Sequence, residues 1–255
     1  MKNLRYVAAI VAAMFIAGEA SAWTAEVNKA ILLFAEQNMS KKAKKEVVEI
    51  LDAPLHSVVF AGKGKNQTRL NEAGKSVTTD KNDAVVKLEG AIATLADEKA
   101  TAAERKAALL AATELAVDIH CPANVLIDKH LEKDFVYQRD NGRPKYSRWF
   151  KLSERKWQAM WHSQYHKDHG AFSAEMYLYD WNIATEGMAK SYKKEPVAPR
   201  KWAERTGERA MHAMKTFRPE AVVNMLEITK HEYLNDESMY DAAFHLAKLL
   251  NQLLK

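Results

Sequence analysis

The chain has few of the residues that cross-link or sharply turn a polypeptide. Its 255 residues include one cysteine, Cys121, which excludes an intrachain disulfide and a zinc ribbon built from cysteines. Glycine and proline number only 9 and 6, few for a protein that must make many tight hairpins. This scarcity argues against an all-β sandwich and favours long helices with few connections.

A strong charge of either sign is also lacking. The chain has 38 lysines and arginines against 33 acids, a net charge of +5 with neutral histidines. Such a mild basic bias permits an anionic partner without identifying one. Hydrophobic residues make up 47% of the chain and charged residues 28%, which is globular composition and excludes a disordered chain.

Residues 1–22 have the features of a secretory signal peptide. Lys2 and Arg5 precede an uncharged apolar stretch from Tyr6 to Gly18, and residues 20–22 read Ala-Ser-Ala, the small-residue pattern at a cleavage site. An uncleaved membrane anchor is the alternative, but the stretch is shorter than the ~20 residues that span a bilayer. We therefore expect an exported protein, periplasmic or secreted, whose mature domain is residues 23–255 and has no transmembrane segment.

Helical periodicity dominates residues 23–255. Apolar residues recur at spacings of three and four, and Ser40 and Thr101 are expected to cap helices. Asp140-Asn141-Gly142 lies between two aromatic stretches and allows a short hairpin. Without a repeat or a low-complexity linker, the sequence predicts one all-α domain of many helices. The predicted helices cover residues 25–39, 41–51, 83–95, 102–119, 171–192, 199–216, 218–234 and 236–254. A further helix, capped by Ser153, bears Trp157, Met160 and Trp161, and residues 61–82 are predicted to form a long loop.

Two acidic residues share one face of the predicted helix after Thr101. Glu114 and Asp118 are four residues apart, so their carboxylates project about one helical turn from each other. The same stripe is apolar enough to be buried, and buried acids need a cation, a metal or hydrogen-bond donors. The sequence leaves open whether a metal ion or a lysine or arginine of another helix is the partner.

Two further features of the sequence could supply ligands to a metal ion. His162 and His166 have the helical spacing that places two imidazoles on one ion, although cationic residues near a helix end would also explain them. Trp23 would become the first residue after signal cleavage. It would then offer a free amine and its carbonyl to a metal ion, unless it is an aromatic residue simply packed on the surface.

Four segments of the chain resemble, in the same order, segments of the secreted zinc-dependent S-one/P-one nucleases, which are relatives of bacterial zinc-dependent phospholipase C. The central segment reads Glu-Leu-Ala-Val-Asp-Ile-His-Cys-Pro-Ala-Asn, where the family has His-x-x-Gly-Asp-Ile-His-Gln-Pro-Leu-His. The resemblance implies the helical phospholipase C and single-strand nuclease fold, three zinc ions and hydrolysis of single-stranded nucleic acid or another phosphate ester. The segments are residues 23–28 with 40–51, 114–124, 156–162 and 243–251.

The departures from the family fall on its zinc ligands. Trp23 and Asp118 match the family pattern. The positions where the family has histidine hold Asn28, Glu114, Asn124 and Gln158, and His162 stands where it has a ligand aspartate. The family's Trp-Ala-Asp and Trp-His segments have no counterpart between Leu51 and Asp83.

Three hypotheses follow from this pattern. The first is a member of the nuclease fold with a degenerate metal site, kept as an exported binding or structural protein that is non-catalytic or altered in activity. The second is a metal-dependent phosphodiesterase of nuclease or phospholipase type with remodelled ligands. A remnant site would use Trp23, Glu114, Asp118 and His162, with Asp118 as the candidate catalytic residue and fewer zinc ions than three, or none. The third is an unrelated exported helical protein whose patterning resembles the family by coincidence.

Overall fold

A computed structural model describes residues 23–60, 66–128, 134–137, 148–151, 172–215, 222–223 and 232–254. The described part of the chain is mostly helical, in agreement with the helical class predicted from the sequence. Its helices are α1 (Ala25–Asn38), α2 (Lys41–Leu51), α3 (Ala84–Ala96), α4 (Ala102–Asp118), α5 (Ala174–Ala184), α6 (Ala189–Lys194), α7 (Pro199–Met214) and α8 (Glu232–Leu253).

The helix starts are set by side-chain caps. The Ser40 side chain accepts a hydrogen bond from the Ala43 amide, and Thr101 forms a capping box with Glu104. Both caps were predicted from the sequence and are confirmed. Asp83 caps α3 through the Val85 amide.

Five short strands accompany the helices in the described ranges. Strand β1 (Thr68–Leu70) pairs in parallel with β2 (Val125–Ile127), so the predicted loop over 61–82 contains a strand. Strands β3 (Asp134–Tyr137) and β4 (Arg148–Lys151) are antiparallel neighbours, as the predicted hairpin requires. Strand β5 (Val222–Val223) runs parallel to β3.

Two of the predicted helices need correction. The helix predicted over 218–234 is wrong at Val222 and Val223, which pair with β3. Residues 232–234 are helical but belong to α8, and the other positions of this prediction lie outside the described residues. Adjacent β-branched residues suit a strand, and a partner distant in sequence decides the outcome. The helix predicted over 171–192 is two helices, α5 and α6, separated at Gly187, whose φ of 81° ends regular helical geometry.

Helix α8 lies at the centre of the packing and contacts α1, α4 and α6. Phe34 of α1 makes edge-on contacts with Trp181 and Phe244, with ring centroids 6.0 and 5.2 Å apart. Trp181 and Tyr177 are buried, so these two aromatic residues belong to the core. None of the described helices is long and apolar enough to cross a membrane.

Helix α7 packs closely on the β1–β2 pair at Gly207. A Cβ atom at Gly207 would lie 2.2 Å from Leu70 Cδ1 and 3.6 Å from Val125 Cγ1. Leu70 is fully buried and has little room to move. The missing side chain at Gly207 therefore sets the distance between α7 and these two strands.

We predict that Gly207→Ala lowers the free energy of unfolding by about 1–3 kcal/mol, because the overpacking outweighs the better helix propensity of alanine. Gly90→Ala is the matched control, since a Cβ at Gly90 of α3 meets nothing within 4 Å. That control should stabilise the protein by about 0.5–1 kcal/mol. Urea denaturation measures both variants, and equal stabilisation by the two would contradict the close packing at Gly207.

Candidate functional site

The last turns of α4 bring two carboxylates to one amide. Asp118 is buried and Glu114 is half-buried. Asn66 Nδ2 lies 2.6 Å from Asp118 Oδ2 and 3.4 Å from Glu114 Oε1. Because carboxylate oxygens only accept hydrogen bonds, the NH2 group of Asn66 faces both acids.

The β1–β2 pair explains why Asn66 reaches this position. Asn66 precedes β1 by two residues, and β2 follows the end of α4 after one short turn. Their parallel register aligns Thr68 with Val125, which brings the entry to β1 beside the end of α4. The segment before β1 is thereby placed against the carboxylates.

Asp83 fixes β1 to the start of α3. Its carboxylate accepts hydrogen bonds from Thr68 Oγ1 and the Arg69 amide, both at 2.8 Å. The same carboxylate caps α3 through the Val85 amide at 2.9 Å. One buried acid therefore orders the loop that carries Asn66.

The segment after Asp118 folds tightly. The amide of Cys121 donates to the Asp118 carbonyl at 3.1 Å, and Asn124 Nδ2 donates to the same carbonyl at 3.3 Å. Cys121 is buried, and burial raises the pKa of its thiol. A thiol that stays protonated is a poor nucleophile, so Cys121 acts here as a small buried residue.

Trp23 lies at the start of α1, with only 5% of its surface exposed. Its side chain belongs to the hydrophobic core and does not lie on the surface. Asn28 Nδ2 lies 3.4 Å from the Trp23 carbonyl oxygen. The carbonyl that the sequence suggested as a metal ligand thus accepts an amide hydrogen.

Three asparagines therefore share one role around the predicted ligands. Asn28, Asn66 and Asn124 each direct the side-chain NH2 group at an oxygen atom of Trp23, Glu114 or Asp118. Asn28 and Asn124 were singled out from the sequence as replacements of histidine. Asn66 was missed, because no local motif surrounds it and its role depends on pairing between β1 and β2.

The predicted site residues have different outcomes. Glu114 and Asp118 are brought together, and Trp23 is bonded to Asn28. His162 and its neighbour His166 lie outside the described residues, as does the helix predicted after Ser153. Within the ranges that the structure describes, no three side chains of histidine, cysteine, aspartate or glutamate are grouped as a metal would require.

A second buried polar group lies two residues beyond Asp118. His120 Nδ1 is 2.5 Å from the Ala116 carbonyl oxygen, and His120 Nε2 is 2.7 Å from His245 Nδ1. His245 Nε2 is 3.0 Å from Glu195 Oε2, and the ring of Trp202 stacks on His245 at 4.6 Å. This line of contacts joins the end of α4 to the middle of α8.

Burial keeps both imidazoles neutral. It lowers the pKa of His120 to about 3, with a further contribution from His245, and it lowers the pKa of His245 although Glu195 and Asp241 oppose the change. A neutral imidazole carries one N–H group, so His120 and His245 together have two donors for the three contacts described above. The line His120–His245 was not predicted from the sequence, where the two residues stand 125 positions apart.

Comparison with known proteins gave no match: neither a family model nor a curated protein sequence is similar to this chain at a significant level.

We predict that acid destabilises the protein through His120. The unfolded imidazole binds a proton near pH 6.5, whereas the folded one resists protonation down to about pH 3. The contribution of neutral His120 to the free energy of unfolding is therefore complete above pH 6.5 and decreases as the pH falls. By pH 5 the loss from His120 alone is about 2 kcal/mol. Urea denaturation across this pH range measures it.

The variant His120→Asn keeps a side-chain N–H but cannot titrate, and it should flatten this part of the pH profile. His212→Gln on the exposed surface of α7 is the matched control and should leave the slope unchanged. Equal slopes in the native protein and His120→Asn would contradict the assignment to His120.

Proposed function

We propose that this chain is an exported helical protein with the scaffold of the S-one/P-one nucleases and a degenerate metal site, kept for binding or structure and not for hydrolysis. The proposal is supported by the four resembling segments and by the helical class of the described residues. It is also supported by asparagines at the positions where the family has histidine ligands. Residues 1–22 would direct export, and cleavage would leave Trp23 as the first residue.

One observation carries the proposal: Asn66 donates to both Asp118 and Glu114. A metal ion binds through carboxylate lone pairs, and the Asn66 NH2 group is directed at these same oxygens. The amide thus takes the place that a cation would take between the two acids. It supplies hydrogen-bond donors without supplying a positive charge or a metal ligand.

The other residues at the family's ligand positions do not suit three zinc ions. Zinc in proteins is held by thiolate, imidazole and carboxylate, and neutral amides bind it weakly. Asn28 and Asn124 direct their NH2 groups at the carbonyl oxygens of Trp23 and Asp118. The buried thiol of Cys121 stays protonated, so it adds no thiolate ligand.

Hydrolysis of a phosphodiester would be slow on this arrangement. A catalytic metal lowers the pKa of bound water from about 15.7 to about 7 and stabilises charge on the phosphate in the transition state. Asp118 and Glu114 can accept protons but cannot supply the positive charge that this transition state needs. We therefore expect this chain to hydrolyse phosphodiesters far more slowly than a zinc nuclease does.

The first test is the metal content and activity of the purified protein. We expect fewer than two zinc ions per chain by elemental analysis, and no turnover of single-stranded DNA, RNA or phospholipid with added zinc or manganese. Two or three tightly bound zinc ions, or turnover that Asp118→Asn abolishes, would overturn the proposal in favour of a working phosphodiesterase. Turnover that is equal in Asp118→Asn comes from a contaminant and leaves the proposal standing.

A second prediction concerns the bridging amide. Asn66→Ala leaves two carboxylates near each other without this donor, so we expect the free energy of unfolding at pH 7 to fall by about 1–3 kcal/mol. Asn82→Ala, at an exposed position before α3, is the control and should change stability by less than about 0.5 kcal/mol. Equal stabilities of the Asn66→Ala and Asn82→Ala variants would show that the bridge contributes nothing.

A further inference from the structure

Lysines of α6 and α8 line a small cavity near the carboxyl end of α8. The cavity has a volume of about 40 Å³. Lys248 of α8 donates a hydrogen bond to the Lys193 carbonyl at the end of α6, which fixes the two helices together. The residues that line it include Asn38, Tyr192, Lys193, Phe244, Lys248 and Asn251.

Asn251 connects this cavity to the start of α2. Its Oδ1 accepts a hydrogen bond from the Ser40 amide at 2.6 Å, and its Nδ2 donates to the Asn38 carbonyl at 3.2 Å. Helix α2 then begins Lys-Lys-Ala-Lys-Lys. The start of α2 and the end of α6 thus both contact the end of α8, and we call the lysines of these three segments the lysine face: Lys41, Lys42, Lys44, Lys193, Lys194 and Lys248.

The acids that follow these lysines in the sequence of α2 and α6 are bonded to other partners. Glu46 of α2 pairs with Arg105 at 2.7 Å, and Glu49 pairs with Lys45 at 3.4 Å. Glu195, which follows Lys194, is bonded to Arg205 and His245. The positive charge of this face is therefore not neutralised by these neighbouring acids.

The clustering of lysines at the start of α2 lowers the stability of the folded protein. The first turn of α2 contains no acid, and its lysines stand at the positive end of the helix dipole, where cations are unfavourable. They also repel one another, and a bound polyanion would relieve both effects.

We propose that the lysine face binds the phosphate backbone of nucleic acid without reading its sequence. Lysine ammonium groups bind phosphates as point charges. The cavity has room for water-sized groups but not for a base. Tyr192 and Phe244 beneath it are buried and stacked on each other at 4.3 Å, so they are not available to stack on bases.

A lipid membrane fits this face less well. Aromatic side chains anchor proteins at the membrane interface. Among the described residues, the exposed aromatics are Tyr179 on α5 and Tyr233 at the amino end of α8, and neither belongs to the lysine face. The binding proposed here does not depend on whether the centre at Asp118 holds a metal.

Fluorescence anisotropy with a labelled single-stranded DNA of about 20 nucleotides tests the proposal, since each phosphate contact contributes about 0.7 to the slope of log affinity against log salt concentration. The variant with Lys41, Lys42, Lys193 and Lys194 all changed to glutamine should bind at least about tenfold more weakly at about 50 mM salt, with a slope smaller by about 3. The matched control changes Lys81, Lys87, Lys99 and Lys215 to glutamine. These lysines are exposed and lie off the lysine face, so affinity should stay within about threefold and the slope should be kept.

Circular dichroism verifies that both variants are folded. Equal loss of affinity in the two quadruple variants would show that net charge, and not this face, drives binding, and would overturn the proposal. Absence of DNA binding by the native protein would overturn it too, as would binding to vesicles of phosphatidylglycerol and phosphatidylcholine without binding to DNA. Retained metal or catalytic activity would contradict only the proposed function.

Discussion

The hydrogen bonds from Asn66 to Asp118 and Glu114 are the interaction around which the end of α4 is organised. Two acids one helical turn apart, one of them buried, carry like charges that need donors or cations. Here a neutral amide is a shared donor, and a second amide, from Asn124, binds the backbone at Asp118. These contacts give the two acids and the backbone at Asp118 hydrogen-bond donors from side-chain amides.

The neighbouring strands and helices hold the Asn66 amide in place. Pairing of β1 with β2 brings the loop to α4, and Asp83 bonds β1 to the start of α3. Gly207 lets α7 approach both strands, so the loop, the strands and the helix form one packed unit. Two residues after Asp118, His120 contacts His245, which connects the end of α4 to α8. Changes at any of these positions are expected to disturb the carboxylate pair.

The sequence predicted what depends on local spacing and capping. Apolar periodicity with the caps at Ser40 and Thr101 placed α1, α2 and α4 within a few residues, and the spacing of Glu114 and Asp118 placed their carboxylates together. Long-range pairing decides the rest: Asn66 was missed and Val222–Val223 was assigned to a helix because their partners are remote in sequence. The family resemblance drew attention to Asn28 and Asn124, whereas no local pattern indicates the pair His120–His245.

Thermal unfolding with and without zinc tests the amide-bridged centre most directly. A site with a dissociation constant 100-fold below the zinc concentration would add about 2.7 kcal/mol, or about 5–10 °C in a chain of this size. We predict that neither zinc nor a chelator moves the midpoint of the native protein, whereas zinc raises the midpoint of Asn66→His, which adds an imidazole between the two carboxylates. A native midpoint that rises with zinc and falls with the chelator would contradict the proposal that an amide has replaced the metal.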